Sequence, residues 1–559
     1  MVGSEYFGYN EFMMEAKTQN SPTDDIPTLN AGASRTSTKS EKTGYRIASV
    51  FGRVNYNYQM KYLLSLVARY DGISRLKDNR WGFFPGVSVG WNVTEEDFWK
   101  ESKISEVISN IKPRLSYGVN GNVNGIGNFD IYGIYKQIGA GNYDGATAYY
   151  NSSLINTGLR WEQSRSFEAG LDLGFFNNRL SFIFDYYNRT TDDLLTDVNL
   201  PAYTGFSSMK TNLGKLRNSG FEMEVRANIL SNAKGFNWEV SANLTSVSNK
   251  VLKLPTSDKP FNQIDGYEVA AGLYNPETGE TPTKWIGGYR EGGKLGDMVG
   301  YVQNHIFRDW NDVKANANMV IDEVANLYGP GMANEINPQT GVTYAESNGW
   351  KPIEPGDVCW EDINKDGKIN SLDRAVVGNI FPKVTGGFST TLSYKNWSLY
   401  ARFDYALGHT IYNDLKARSL GQYQGQFNII DKVHDTWSET NPDTDLPVFT
   451  YADQLNKKNI TRSNNGNTAV DNNSSRFYEK GDYLALREIT LSYSLPKKWI
   501  GKAGMQDASV YVTGQNLFYI TGYDGVSPEP AVSTVYGRGI DNGRYPTPRT
   551  LLFGLSVTF

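Results

Sequence analysis

Hydrophobic and polar residues alternate along much of this chain with a period of two. Val54, Tyr56 and Tyr58 stand against Arg53, Asn55 and Asn57; after a short break, Tyr62, Leu64, Leu66, Ala68 and Tyr70 stand against Ser65, Arg69 and Asp71. The pattern returns where Trp397, Leu399, Ala401, Phe403 and Tyr405 oppose Ser398, Tyr400, Arg402 and Asp404. It returns again where Ile489, Leu491, Tyr493 and Leu495 oppose Glu488, Thr490, Ser492 and Ser494. Alternate residues of a strand point to opposite faces of its sheet. The pattern therefore predicts strands with one apolar, aromatic face and one hydrated face. A sandwich core has no place for Arg402 and Asp404 without partners, so the charged face is expected to line water. The last residues obey the same rule: Leu551, Phe553, Leu555, Val557 and Phe559 alternate with Leu552, Gly554, Ser556 and Thr558. A final strand that ends on an aromatic residue is typical of outer-membrane barrels, whose apolar face meets lipid.

The breaks between strands alternate too. Tight links are expected at Gln59–Met60, Asn177–Asn178, Asn232–Gly235 and Lys395–Asn396. Long polar stretches fall between them, near 120–157, 192–213, 251–381, 411–474 and 521–545. Short periplasmic turns and long extracellular loops describe an all-β, transmembrane antiparallel β-barrel, here of about fourteen strands with the first over 2–14. Soluble β-sandwich modules are the competing architecture, and they rarely alternate short and long connections so regularly. Thr94, Glu95, Glu96 and Asp97 ahead of Phe98 and Trp99 form a capping pattern that predicts a short helix within 94–110.

Composition narrows the function classes. Of 559 residues, 39% are hydrophobic and 13% aromatic, with 36 Tyr and 12 Trp. Mean hydropathy is −0.49, and no apolar run approaches the roughly 18–20 residues a spanning helix needs. Tyr and Trp suit places that are apolar at one end and wet at the other. A net charge of −5 gives no basic footprint for nucleic acid. The single Cys359 excludes an internal disulfide. His305, His409 and His434 have no nucleophile pattern beside them, and no enzyme is expected. The glycines between 287 and 296 lack the context of a phosphate loop and read as a flexible segment. Residues 1–12 carry neither the basic nor the apolar region of a signal peptide, so a missing start is expected.

One stretch has metal-ligand spacing. Asp362, Asn364 and Asp366 alternate along a loop, followed by Gly367, Lys368 and, at its end, Asp373. In a calcium loop such alternate side chains converge oxygens on one point, the glycine allows the sharp turn, and the next residue offers its carbonyl. Calcium held by Asp362, Asn364, Asp366, Lys368 and Asp373 is therefore predicted as a structural clip inside the 251–381 loop region. An EF-hand has Glu where Asp373 stands, so residues 362–373 resemble the shorter dockerin-type loop. Ile369 is expected to pack inward. Without an ion the same residues make an Asx- and Gly-rich turn. Tyr149, Tyr150, Trp285, Tyr289, Trp310, Trp350 and Trp360 lie in long loops and are candidate ligand contacts, because aromatic rings stack on sugar faces and pack on peptides.

Several blocks carry a family resemblance. Arg69 to Arg75 (RYDGISR), Asn79 to Pro85 (NRWGFFP) and Ser88 to Trp91 (SVGW) come first. Leu115 to Gly118, Trp161–Glu162 leading into Gly170–Leu171–Asp172, and Phe176 to Leu180 follow. Thr513 to Phe518 (TGQNLF), then Pro528–Glu529, is the most specific. In this order they resemble the barrel of SusC/RagA-type TonB-linked outer-membrane transporters over nearly the whole chain. The resemblance implies a barrel of about 22 strands, of which roughly the first eight, the plug and the TonB-contacting segment would precede this chain. It further implies import of a large nutrient, an oligosaccharide or peptide, across a Gram-negative outer membrane. A SusD-type surface lipoprotein would act as lid, the TonB complex as energy source, and the barrel assembly machinery would insert the protein into outer-membrane lipid. A passive porin and a soluble calcium-dependent carbohydrate-binding protein are the alternative readings. A piece lacking its first strands is expected to aggregate when expressed alone.

Overall fold

The computed structural model describes all residues except 27, 134, 144–145, 257–261, 422–429, 450–473, 530–538 and 544. Fourteen strands form one antiparallel sheet in chain order. They are β1 (Val2–Gln19), β2 (Ser34–Tyr58), β3 (Tyr62–Ile73), β4 (Trp81–Trp91), β5 (Ile108–Asn122), β6 (Glu162–Phe175) and β7 (Leu180–Asn199). β8 (Ser208–Ala233), β9 (Phe236–Lys253), β10 (Val384–Tyr394), β11 (Trp397–Leu407), β12 (Tyr483–Ser494), β13 (Asp507–Thr521) and β14 (Thr550–Thr558) complete the order. No described helix is long and apolar enough to cross a membrane. The chain divides into two compact units, Met1–Phe221 with Asn249–Asp258, and Glu222–Ser248 with Lys259–Phe559.

In the first unit the register aligns the alternating residues into rows. Tyr56, Leu64, Val89, Leu115, Ala169 and Tyr186 run side by side across β2 to β7 on one face. Asn55, Ser65, Ser88, Ser116, Glu168 and Tyr187 form the neighbouring row on the other. A one-residue slip of any strand would exchange its two sets of side chains, so the two-faced pattern fixes the register. The β2–β3 turn needs positive φ at both central residues, and Gln59 and Met60 supply +52° and +59°.

The second unit repeats the arrangement. Leu392, Leu399, Leu491, Val512 and Phe553 align on the apolar face of β10 to β14, beside Tyr394, Trp397, Tyr493, Val510 and Leu555. Thr391, Tyr400, Thr490 and Thr513 align on the polar face, where the hydroxyls of Thr490 and Thr513 lie 2.8 Å apart. Phe388 and Phe403 stack across β10 and β11 with centroids 4.6 Å apart. A bulge interrupts this regularity. Leu486 pairs with Phe518 and Glu488 with Gln515, leaving Arg487 on β12 and Asn516–Leu517 on β13 without register partners. Asn516 takes φ +51° to accommodate it. The Thr513–Phe518 block contains the β13 side of this bulge.

Several expected boundaries move. β1 extends to Gln19, β12 begins at Tyr483, and the connection expected over 192–213 shrinks to 200–207 because β7 runs to Asn199. The expected helix is a four-residue turn, Asp97–Lys100, between 3-10 turns at Val93–Glu95 and Lys103–Glu106. Its expected cap differs: Thr94 lies inside the first turn, and the side chain that caps is Ser102, accepting from the Ile104 amide. Much of the 411–474 and 521–545 connections lies outside the described residues.

The connection between β9 and β10 is folded. Asp297–Tyr301 pairs with Arg374–Asn379 and Gln303–Ile306 with Val358–Trp360. The helix Trp310–Asn316 is capped by Asp309, whose carboxylate accepts from the amides of Asn311 and Asp312 at 2.7 and 2.9 Å. Phe307, Val313, Ala317, Leu327, Ile353 and Cys359 bury one core, and Tyr301, Ile306, Val358, Trp360 and Ile369 another.

Gly554 tests the packing of the polar face. A Cβ there would sit 2.0 Å from Tyr511 Cζ, so the tyrosine ring covers a residue that must lack a side chain. Gly554→Val should destabilise by about 1–3 kcal/mol through overpacking. Tyr511→Ser should recover part of that loss in the double variant. Additive effects of the two changes in equilibrium unfolding would show that the ring does not cover Gly554.

Candidate functional site

The predicted metal loop closes through its own backbone. Asp362 accepts from the Gly367 amide at 2.8 Å, Asp366 from the Lys368 amide at 2.7 Å, and Gly367 takes φ +80°. Asp373 accepts from the Ile363 and Asn370 amides at 2.9 and 2.8 Å, forming a capping box with Asn370. Asn364 is buried and donates to Thr281 and to Asp366. Lys368 is exposed, with its ammonium 3.3 Å from Glu323. Ile369 packs inward as expected, 3% exposed. Burial, together with repulsion from Asp362 and Asp366, pushes the Asp373 carboxyl up to about 6. Burial and Asp366 likewise raise Asp362. Among the described residues no three His, Cys, Asp or Glu side chains are grouped to hold a metal. The donor set is nonetheless one of hard oxygens crowded with like charge, which suits a hard cation.

Beside this loop lies a cavity of about 370 Å³, lined by His305, Asp322, Cys359, Trp360 and Asp362 among others. His305 and Cys359 are direct cross-strand partners, and His305 Nε2 lies 3.2 Å from Asp312. Burial pushes the Cys359 thiol up to about 12, so at neutral pH it carries no nucleophilic thiolate.

The polar face of each unit holds paired charges. In the first, Arg114 of β5 reaches Asp172 of β6 at 2.8 Å and Asp185 of β7 at 3.1 Å. Arg69 likewise joins Asp71, Glu5 and Ser49 across β1 to β3. A concavity of about 410 Å³ lies here, lined by Asn55, Ser88, Lys112, Arg114, Glu168 and Asp185 among others. In the second unit the bulged Arg487 spans Asp404 of β11, the Tyr519 hydroxyl and Glu529. Next to it, Asn243, Gly387, Ser389, Arg402 and Asp404 line a concavity of about 390 Å³. Such walls offer hydrogen bonds and fixed charge to a hydrated solute.

The loop aromatics divide. Trp360 is buried in a core, Trp350 packs edge-on against Tyr344, and Trp285 donates to the Asp265 carbonyl at 2.8 Å. Tyr289 belongs to a backbone bridge with Ile264, within a glycine-rich segment in which Gly287, Gly288, Gly292 and Gly296 take positive φ. Tyr149, Tyr150 and Trp310 remain exposed. His409 is buried and lowered by desolvation, and His434 is exposed, so the three histidines do not meet. Sequence reasoning missed the bridging role of Arg487, which follows from a bulge that no local signal marks. It also missed Lys416, which pairs with Glu479 and Asp524 at 2.8 Å each across 63 and 108 residues.

A family model described as TonB dependent receptor-like, beta-barrel matches residues 2–315. The chain is 31% identical over 524 residues to the TonB-dependent receptor P3 of Formosa agariphila, covering 92% of this chain and 45% of that protein. It is 30% identical over 533 residues to the TonB-dependent receptor SusC of Bacteroides thetaiotaomicron, covering 93% and 45%. The chain thus spans about half the length of the curated relatives it matches. Among solved structures, one of the RagAB peptide transporter superimposes with a TM-score of 0.72 at 23% identity, covering 100% of this chain and 53% of that one. That likeness is one of fold.

The buried thiol gives a direct check of the folded connection. Iodoacetamide at pH 8 should leave Cys359 unmodified in the folded protein and alkylate it in urea. Rapid labelling without denaturant would contradict the burial of the Val358–Trp360 strand.

Proposed function

This chain belongs to the TonB dependent receptor-like β-barrel family and is a protein of the Gram-negative outer membrane; from that premise we propose that it supplies the wall and outer loops of an importer for a large nutrient, an oligosaccharide or a peptide. The observation that carries the reading is the two-faced sheet, with an apolar face for lipid and an ion-paired polar face for a hydrated path. A solute too large to diffuse through a pore needs hydrogen-bonding walls and a driven opening. In this proposal TonB drives the opening through a part of the protein outside this chain, and a SusD-type lipoprotein closes over the outer loops as a lid. Relatives named as TonB-dependent receptors, and a fold neighbour named as a peptide transporter, support it. Uptake of labelled oligosaccharides and peptides by cells with and without the gene, each with and without TonB, tests it. Uptake that needs the gene and is lost without TonB is expected. Gene-dependent uptake that survives loss of TonB would favour a passive porin.

The facing of the strands is separately testable. Phe403→Arg in the full-length protein should cost about 2–4 kcal/mol near mid-membrane, whereas Arg402→Leu should cost far less. Equal tolerance, measured as folded protein in the outer-membrane fraction, would reverse the assignment.

Calcium at residues 362–373 is part of the same proposal. Asp362, Asn364, Asp366 and Asp373 would hold it with side-chain oxygens and Lys368 with its carbonyl, tying the connection into one rigid piece. Calcium should raise the unfolding temperature of this region relative to chelator, and Asp362→Ala with Asp366→Ala should remove the difference. Identical unfolding with calcium and with chelator would leave the loop as an ion-free turn.

A further inference from the structure

Tyr58, Tyr62 and Trp91 stack in a row at the tight-turn end of β2, β3 and β4, with centroids 6.4 and 6.5 Å apart. They continue the apolar face, following Tyr56, Leu64 and Val89 by one alternation each. The polar tips of two of these rings converge on a single carboxylate. Tyr62 donates its hydroxyl to Glu96 Oε1 at 2.7 Å, and Trp91 donates its indole N–H to the same oxygen at 3.1 Å. Lys61 holds the other oxygen at 3.1 Å.

Glu96 belongs to the link between β4 and β5, the link that carries the short helical turns. The rings that reach it stand on the lipid-facing side of the sheet, so their shared acceptor must lie on that side as well. These two hydrogen bonds tie the link to the aromatic row at the lipid-facing rim. Three of its apolar side chains are left uncovered: Phe98 is 60% exposed, Ile104 54% and Val107 44%. Phe176 of the neighbouring turn, also 54% exposed, joins Val107 by a backbone hydrogen bond of 2.8 Å. Beside the apolar residues in sequence stand Glu95 and Lys100, paired at 2.8 Å, with Glu101 and Lys103. Aromatic rings with satisfied polar tips, exposed apolar side chains and interspersed charges are the composition of an element lying in a membrane interface.

We propose that residues 93–107 are an interfacial foot, latched to the barrel by Glu96 and seated in the inner-leaflet lipid surface through Phe98, Ile104 and Val107. The occupant is lipid because the uncovered side chains belong to the link whose Glu96 takes the hydrogen bonds of the aromatic row, and that row continues the face of the sheet that meets hydrocarbon. Glu96 acts as a positioning residue that satisfies two aromatic donors and orients the foot. The foot would fix the depth of the strands in the bilayer, whatever the barrel imports.

The test uses the full-length protein in phospholipid vesicles, labelled with an environment-sensitive thiol fluorophore. Phe98→Cys, Ile104→Cys and, as the exposed control, Glu101→Cys provide the sites, with the parent chain as control for buried Cys359. Probes at 98 and 104 should be quenched by shallow nitroxide-labelled phospholipid about twofold more than the probe at 101, and shielded about twofold from aqueous iodide. In a Glu96→Ala background the probe at 98 should lose that difference. Probes at 98 and 104 that match 101 toward both quenchers would overturn the proposal. Shielding from iodide without quenching by lipid would overturn it too, because the cover would then be protein. If Phe98→Cys fails to assemble, Ile104→Cys alone decides the outcome.

Discussion

Every backbone N–H and C=O that crosses hydrocarbon must find a partner inside the protein, because lipid offers none. Strands β2 to β13, each paired on both sides, meet that demand within the ladder, and pairing leaves the chain only one local freedom, the parity of its side chains. Leu399 and Arg402 are close in sequence, yet they require opposite environments. The register that seats Leu399 between Leu392 and Leu491 is the one that sets Arg402 opposite Glu488. Apolar rows and charged rows are thus fixed by the same hydrogen bonds, and neither can shift alone.

The polar face carries a second constraint. Water in a protein-lined path screens charge less well than bulk water, so like charges must be separated and unlike charges paired. Arg114 between Asp172 and Asp185 is a local solution that spans adjacent strands, and Arg487 joins Asp404 of the adjacent strand to Glu529 in the connection after β13. The bulge in β12 makes the second possible. Arg487 leaves the ladder register there, and its guanidinium reaches across to Asp404 and up to Tyr519. Irregularity in the ladder positions the charge.

The same bulge explains where the sequence was legible. Ile489 and Leu491 share a face with Leu484 and Leu486, although their parity in the sequence is opposite. Period-two reading therefore starts the strand at Glu488, and the residues before it look like loop. The strand pairs, the tight turns and the calcium-type spacing were visible because each rests on neighbours within a few residues. The folded connection between β9 and β10 was read as polar loop because its apolar residues are dispersed. Ile306, Val358 and Ile369 meet only after the chain returns over more than one strand, and no local period announces such a core. The loop aromatics were ambiguous for the same reason: Trp360 and Trp310 look alike in sequence and differ only in what the distant chain packs against them.

Carboxylates hold two connections together in ways that depend on the surrounding medium. At residues 362–373 they turn onto backbone amides, and burial raises Asp362 and Asp373, a penalty that a bound cation would relieve. At Glu96 the partners are a phenol, an indole and an ammonium at the edge of the lipid face. Aromatic donors there keep their rings in the apolar layer while their polar atoms are satisfied above it. An amide turn would serve as well in water, but it would give the rim no apolar anchor. The choice of donor, more than the carboxylate itself, separates the backbone turn at 362–373 from the ring-bound link at Glu96.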